Sequence, residues 1–306
     1  GEVRAVRGVT LDVMPGETLG IVGESGSGKT TLLMSILGLL PPAGRVRAGA
    51  IRYGGRNLVG LGEAEMVSIR GRHMALIPQK AMNALSPVTS IGRQLRRFAE
   101  STSASSPNAE YLVDMLRRVG LAIPAQRLRS YPYEFSGGQL QRMLIAASTI
   151  PGRPNLLLAD EPTSTLDATV QAQVLSLLRD LQTSLGLSVV FVTHDLGVVA
   201  QLCDRVAVMY AGEIVEVADI DSIFHDPKHP YTQALLGTLP SRHRRGEALA
   251  SIPGSVADSM AIEGACRFAP RCAHAFETCL TSWPADRAAD HSVVKCHLYP
   301  AVAVTR

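Results

Sequence analysis

Three groups of residues in this chain have types and spacings that could do chemistry. The first is Gly23-Glu24-Ser25-Gly26-Ser27-Gly28-Lys29-Thr30, which fills the pattern Gly-x-x-x-x-Gly-Lys-Ser/Thr at every position. Thr18-Leu19-Gly20-Ile21-Val22 before it reads as a buried strand. Thr31-Leu32-Leu33-Met34-Ser35-Ile36-Leu37 after it reads as a helix that Gly38 and Pro41-Pro42 bring to an end. A strand, a glycine loop and a helix start make a nest for phosphate: backbone N–H groups turn inward and the helix adds partial positive charge. Lys29 is expected to reach the β- and γ-phosphates, and the Thr30 hydroxyl to ligate Mg²⁺. A plain glycine turn between core elements would need neither residue.

The second group is scattered along the chain. Asn155-Leu156-Leu157-Leu158-Ala159-Asp160-Glu161-Pro162 is an apolar strand run ending in two carboxylates. Asp160 is expected to hold Mg²⁺, directly or through water, and Glu161 to polarise an attacking water as general base. Gln79 follows the strand Met74–Ile77, and its amide oxygen could ligate Mg²⁺ or orient the water. Ser136-Gly137-Gly138-Gln139 opens a long apolar helix, a second helix N-terminus suited to phosphate. Ser164-Thr165-Leu166-Asp167 leads into the helix Ala168–Thr183. His194 ends the strand run Leu187–Thr193, where it could bond a γ-phosphate or support Glu161. Taken singly, each has a plainer explanation as a loop residue, helix cap or packing residue.

The third group is Cys266, Cys272, Cys279 and Cys296, with five, six and sixteen residues between them. Disulfides are the first alternative, but the expectation of a cytosolic chain argues against them; structural zinc and an iron–sulfur cluster stay open. The paired Cys-x-x-Cys spacing of zinc ribbons is missing, and some metal is favoured over free thiols. His274, His291 and His297 are possible substitute ligands; Cys203 reads as an inert core thiol.

The elements that must position these groups follow from the rest of the sequence. With 306 residues, 46% of them hydrophobic, one large and one small domain are expected around a sizeable core. A net charge of +3 calls for no nucleic-acid partner. No run approaches the roughly 18 apolar residues of a bilayer span. Val9–Val13 and Thr18–Val22 alternate as strands around a turn at Pro15-Gly16. Ala50–Tyr53 followed by Gly54-Gly55 signals a hairpin, and Val206–Tyr210 with Ile214–Val217 a closing one. Arg93–Glu100 and Ala109–Val119 read as amphipathic helices of a helical insertion, with a surface loop at Ser101–Pro107. The opening Gly1-Glu2-Val3-Arg4-Ala5-Val6 reads as the middle of a hairpin, as if the N-terminus were truncated.

The order of the motifs resembles that of ATP-binding subunits of ABC transporters over Gly1 to about Val217. The resemblance implies an α/β P-loop NTPase with a RecA-like core, an antiparallel β subdomain and an inserted helical subdomain at about 91–150. It implies an ATP-hydrolysing enzyme that binds ATP on Gly23–Thr31 (the Walker A loop) with Mg²⁺ on Thr30, Gln79 and Asp160. Lys29, Glu161 and the switch histidine His194 would be catalytic. Ser136–Gln139 would be the signature that caps ATP on the opposite subunit, and Asp167 a contact across the dimer.

Past residue 220 the likeness narrows. Ile223–Leu236, with His229-Pro230-Tyr231 at its centre, Ile252-Pro253-Gly254, Cys266–Cys272 and Cys296-His297 resemble the tail of the dipeptide/oligopeptide/nickel importer group. An ATPase domain at 1–225 and a small metal-binding C-terminal domain at 226–306 are therefore expected. In that group the tail is associated with a [4Fe–4S] site, which the four cysteines would hold, Zn²⁺ being the alternative. The implied partners are a second, homologous ATPase subunit, two transmembrane permeases and an extracytoplasmic substrate-binding protein, with the chain peripheral on the cytoplasmic face of the membrane and no nucleic acid bound. Gln79–Pro87 departs from the group's commoner Gln-Asp-Pro-Met-Thr-Ser-Leu-Asn-Pro, so the transported solute stays open among peptides, oligosaccharides and metal chelates. The rival reading is a soluble ABC ATPase acting on nucleic acid or ribosomes.

Overall fold

The computed structural model describes residues 3–102, 107–240 and 251–300. Its strands in chain order are β1 (Thr18–Val22), β2 (Arg52–Tyr53), β3 (Arg56–Asn57), β4 (Met74–Ile77) and β5 (Leu156–Asp160), followed by β6 (Ser188–Thr193), β7 (Arg205–Tyr210), β8 (Glu213–Asp219), β9 (Arg287–Ala289) and β10 (Ser292–Val294). Helices connect most of them, so the chain is α/β with mixed pairing. It divides into two compact units, one of Gly1–Val13, Thr18–Leu32 and Val192–Arg306, the other of Met14–Glu17 and Leu33–Phe191.

In the first unit β1 runs parallel to β7, Gly20 opposite Val206. β7 and β8 then form the expected closing hairpin, Tyr210 opposite Glu213. The tail extends this arrangement: β10 adds antiparallel to β8, Val293 opposite Val217, and β9 adds to β10. β1 and β7 are buried almost throughout, which is why they read as continuous apolar runs and not as alternating ones.

In the second unit β4 and β5 are parallel neighbours, Leu76 opposite Leu158, followed in the sheet by β6. β2 and β3 form the hairpin signalled by Gly54-Gly55; both glycines have positive φ, 53° and 81°, as a two-residue primed turn requires. The helices Ile91–Thr102, Ala109–Arg118 and Gly137–Thr149 bury one shared core of Leu95, Leu112, Met115, Leu116, Leu140 and Leu144. The first continues through Ser101 and Thr102, so the expected loop is shorter at that end, and residues 103–106 lie outside the described residues. Val9–Val13, expected as a strand from its alternation, is irregular. Alternation creates a strand only where a neighbour supplies the ladder, and among the described residues none pairs with it. No helix among the described residues is long and apolar enough to cross a membrane.

Candidate active site

The phosphate loop is built from the end of β1. A Cβ on Gly23 would lie 2.1 Å from the Met209 carbonyl oxygen, and one on Gly28 (φ 104°) would lie 2.5 Å from that of Ala5. These two positions admit only glycine because neighbouring backbone closes on them. The loop is tied by the Gly212 N–H, which donates to the Ser27 carbonyl at 2.8 Å. Lys29 begins the helix Lys29–Ile36 and is 5% exposed; its Nζ donates to the carbonyls of Gly23 at 2.7 Å and Glu24 at 2.9 Å. Thr30 and Thr31 follow in the same first helical turn. Glu24 is held from the tail: its N–H donates to the Tyr231 hydroxyl at 3.0 Å, and its carboxylate takes the Arg271 guanidinium. His194 is exposed at the end of β6, and the next residue, Asp195, caps the helix Leu196–Leu202 through Gly197 N–H at 2.8 Å.

In the second unit, Asp160 ends β5 with its side chain buried at 4% exposure. Glu161 then turns with φ of 45°, an unusual conformation for a non-glycine residue and one that accumulates at functional sites. Its carbonyl is fixed by the Ser164 N–H at 3.2 Å and hydroxyl at 3.1 Å. Gln79, just past β4, donates from Nε2 to Glu161 Oε2 at 3.0 Å, bringing two expected site residues together. With its amide nitrogen on Glu161, the amide oxygen of Gln79 is the atom turned to serve as a ligand.

Ser136 caps the helix Gly137–Thr149 with a reciprocal box: Gln139 N–H donates to Ser136 Oγ at 3.3 Å, and Ser136 N–H to Gln139 Oε1 at 3.1 Å. The two glycines differ. A Cβ on Gly138 would lie 2.2 Å from Val170 Cγ1, so this glycine lets two helices approach. A Cβ on Gly137 would meet nothing closer than 3.9 Å, so packing within the chain does not account for it. Asp167 caps the helix Ala168–Leu185 by accepting from Val170 N–H at 3.0 Å.

All five cysteines are free thiols, so the disulfide alternative is not realised. Cys279 and Cys296 are buried, Cys266 and Cys272 partly so, and the Cys266 N–H donates to the Cys279 carbonyl at 2.9 Å. Burial pushes Cys266 up to about 11, and raises Cys272 and Cys296 as well; each is raised further by charge on others of the four. Among the described residues no three His, Cys, Asp or Glu side chains converge as one metal ion needs. His297 is engaged by the Ser282 carbonyl at 3.0 Å. Burial pushes Cys203 up to about 12, an inert core thiol.

The loop of the first unit has the form of a phosphate nest, and in the second unit Asp160 and the Gln79–Glu161 pair offer oxygens of the kind a hard cation or a water takes. Residues 6–164, which contain the phosphate loop, Gln79, Ser136–Gln139 and Asp160-Glu161, match the ABC transporter family. The chain belongs to the ABC transporter ATPase family. Residues 215–279 of this ABC ATPase match a second family, the oligopeptide/dipeptide transporter C-terminal region. It is 46% identical over 262 residues to the oligopeptide transport ATP-binding protein OppD of Bacillus subtilis (strain 168), covering 84% of this chain and 73% of that one. It is 42% identical over 300 residues to the dipeptide transport ATP-binding protein DppD of Escherichia coli (strain K12), covering 97% and 91%. Among solved structures it resembles the dimeric, post-hydrolysis ATP-binding cassette MJ0796 bound to ADP and Pi, with a TM-score of 0.62 and 26% identity over 71% of this chain and 90% of that one.

Two tail residues at the phosphate loop, Tyr231 and Arg271, have no local sequence signal for that role. Each reaches Glu24 across more than two hundred residues, 207 and 247 respectively.

Proposed function

We propose that this ABC ATPase powers uptake of peptides, or of small solutes like them, through partner permeases. The observation that carries the proposal is the union, in one chain, of a complete ATPase motif set with the oligopeptide/dipeptide transporter C-terminal region. That second region also counts against a soluble ATPase acting on nucleic acid or ribosomes. The named relatives, an oligopeptide and a dipeptide transport protein, point to the same solute class.

Lys29 and the loop N–H groups of Gly23–Thr31 neutralise and orient the phosphates. Thr30, Gln79 and Asp160 would offer the hard oxygen donors that Mg²⁺ takes, and a bound ion would supply charge neutralisation for the phosphates. Glu161, oriented by Gln79, accepts a proton from the attacking water, and His194 bonds the γ-phosphate. Ser136–Gln139 cap ATP held by the opposite subunit, a role that gives Gly137 a reason to be glycine that internal packing does not. Asp167 contacts the partner across the dimer. Catalysis here is positioning and charge neutralisation, with two half-sites completing each other. The assembly comprises this chain, with its ATPase domain at residues 1–225, a homologous ATPase, two permeases and an extracytoplasmic binding protein, with this chain on the cytoplasmic face of the membrane.

Within residues 226–306, Cys266, Cys272, Cys279 and Cys296 hold a metal centre, a [4Fe–4S] cluster with Zn²⁺ as the alternative. Their mutual electrostatic influence supports a shared neighbourhood.

The test is reconstitution with the permeases and binding protein in proteoliposomes, measuring ATP-dependent uptake of labelled di- and oligopeptides. Uptake that needs ATP and is lost with Glu161→Gln is expected. Peptide uptake indifferent to that substitution would contradict the proposal.

A further inference from the structure

We infer that Arg271, in the C-terminal tail, is a positioning residue for the phosphate loop, acting through Glu24 on Lys29. The inference rests on the reading of Gly23–Thr31 as the ATP site.

Arg271 lies on a short turn, Ala269–Arg271, just ahead of Cys272, and its side chain is 4% exposed. An arginine has five N–H donors in a fixed planar fork, and here each has an acceptor. Nε donates to the Pro253 carbonyl at 2.6 Å. Nη1 donates to Glu24 Oε1 at 3.1 Å and to the Tyr210 hydroxyl at 3.2 Å. Nη2 donates to Glu24 Oε2 at 3.1 Å and to the Ile252 carbonyl at 3.1 Å. One guanidinium thus grips the Ile252-Pro253 strap with one side and the second residue of the phosphate loop with the other. The Glu24 pairing is bidentate, the geometry that adds direction to charge attraction.

Glu24 passes this hold on to the catalytic lysine. Its carbonyl accepts from Lys29 Nζ at 2.9 Å and from the Ser27 N–H at 3.2 Å. Its own N–H donates to the Tyr231 hydroxyl at 3.0 Å. The side chain, N–H and carbonyl of Glu24 are therefore all fixed, the first two by the tail and the third by the lysine that meets the phosphates. Beneath them Tyr210, Tyr231 and Phe268 pack ring on ring, with centroids 4.6 to 5.4 Å apart, and the Tyr210 hydroxyl bonds Ser259 Oγ at 2.6 Å. The aromatic members of this platform are buried, at 1%, 0% and 2% exposure. A loop whose first turn is anchored in this way loses less freedom when it closes on phosphate, the general gain from preorganisation.

The test measures Kd for MgATP and the number of binding sites per folded protein in the full chain. The proteins are the wild type, Glu24→Gln, Arg271→Met, the double variant, and Tyr231→Phe. The expected result is a Kd about tenfold weaker for Glu24→Gln and for Arg271→Met, the loss of a charge-assisted contact, a smaller loss for Tyr231→Phe, which gives up a neutral one, and a double variant no weaker than Arg271→Met alone. A purely structural arginine would lower melting temperature and the number of sites while leaving Kd of the folded fraction unchanged; that result overturns the inference, as does additivity of the two substitutions. If Arg271→Met does not fold, Glu24→Gln decides, because it keeps the shape of the side chain and removes only the charge that the Arg271 fork grips. A weakened Kd supports the clamp, and an unchanged one overturns it. A wild type that binds no MgATP would instead overturn the ATP-site reading, and the inference with it.

Discussion

Gln79 and Glu161, 82 residues apart in sequence, are joined by a hydrogen bond from Gln79 Nε2 to Glu161 Oε2 of 3.0 Å. The bond ties the segment after β4 to the segment after β5 and fixes the carboxylate assigned as general base. Gln79→Ala should therefore lower kcat by roughly tenfold or more, the worth of a hydrogen bond to a charged group. Binding of Mg²⁺-free ATP, which does not use Gln79, should be unchanged. Stopped-flow phosphate release beside equilibrium nucleotide binding separates the two effects. An equal loss in both would argue against an orienting role.

The two signature glycines should fail differently. Gly138→Ala forces a methyl into Val170, 2.2 Å away, and should cost about 1–3 kcal/mol of stability, read as a lowered melting temperature. Gly137→Ala meets no such contact and should fold normally, yet turnover in the assembled transporter should drop because the opposing ATP no longer docks. Normal turnover with Gly137→Ala would remove the reason given for that glycine.

His229 gives a pH dependence with a definite sign. Burial pushes its imidazole down to about 3, and its Nδ1 accepts from the Tyr231 N–H at 3.0 Å, capping the helix Pro230–Gly237. The unfolded chain takes up this proton near 6.5 and the folded one only near 3, so its contribution is intact above 6.5 and is lost as pH falls through that window. His229→Asn keeps a capping acceptor without the titration. Its stability should fall less steeply between pH 6.5 and 4, by up to about 1.4 kcal/mol per pH unit. Parallel slopes in denaturant titrations of the two proteins would contradict this.

The tail cysteines predict a metal that can be removed. Anaerobically purified protein should be brown, with iron and sulfide in about equal amounts, near four of each per chain. Cys272→Ser should bleach it. Chelation should leave Cys266, Cys272 and Cys296 slow to react with alkylating agents, since burial raises all three thiols. Colourless protein carrying stoichiometric zinc would replace the cluster with the other candidate.

What was legible in the sequence was local. The phosphate loop, the strand that ends in Asp160-Glu161, the Ser136-x-x-Gln139 cap and the Gly54-Gly55 hairpin each carry their instructions within about eight residues, and each formed. What was not legible depends on distant partners. Val9–Val13 alternates like a strand but has no ladder. β9 and β10, three residues each, are too short to announce themselves, yet they extend the pairing of β8. The contacts of Tyr231 and Arg271 with Glu24 are set by tertiary packing of the tail, which no periodicity encodes.

The central claim is that this chain hydrolyses ATP with Glu161 as base, at a site that a second ATPase subunit completes. The most direct measurement is MgATP turnover by the reconstituted complex containing either the wild type or Glu161→Gln, alongside its size in ATP. The wild type should release phosphate steadily. The variant should lose turnover at this site by about 10²–10⁴-fold and accumulate as a closed, ATP-loaded ATPase dimer. Undiminished turnover with Glu161→Gln, or a variant that binds ATP without closing on its partner, would contradict the account.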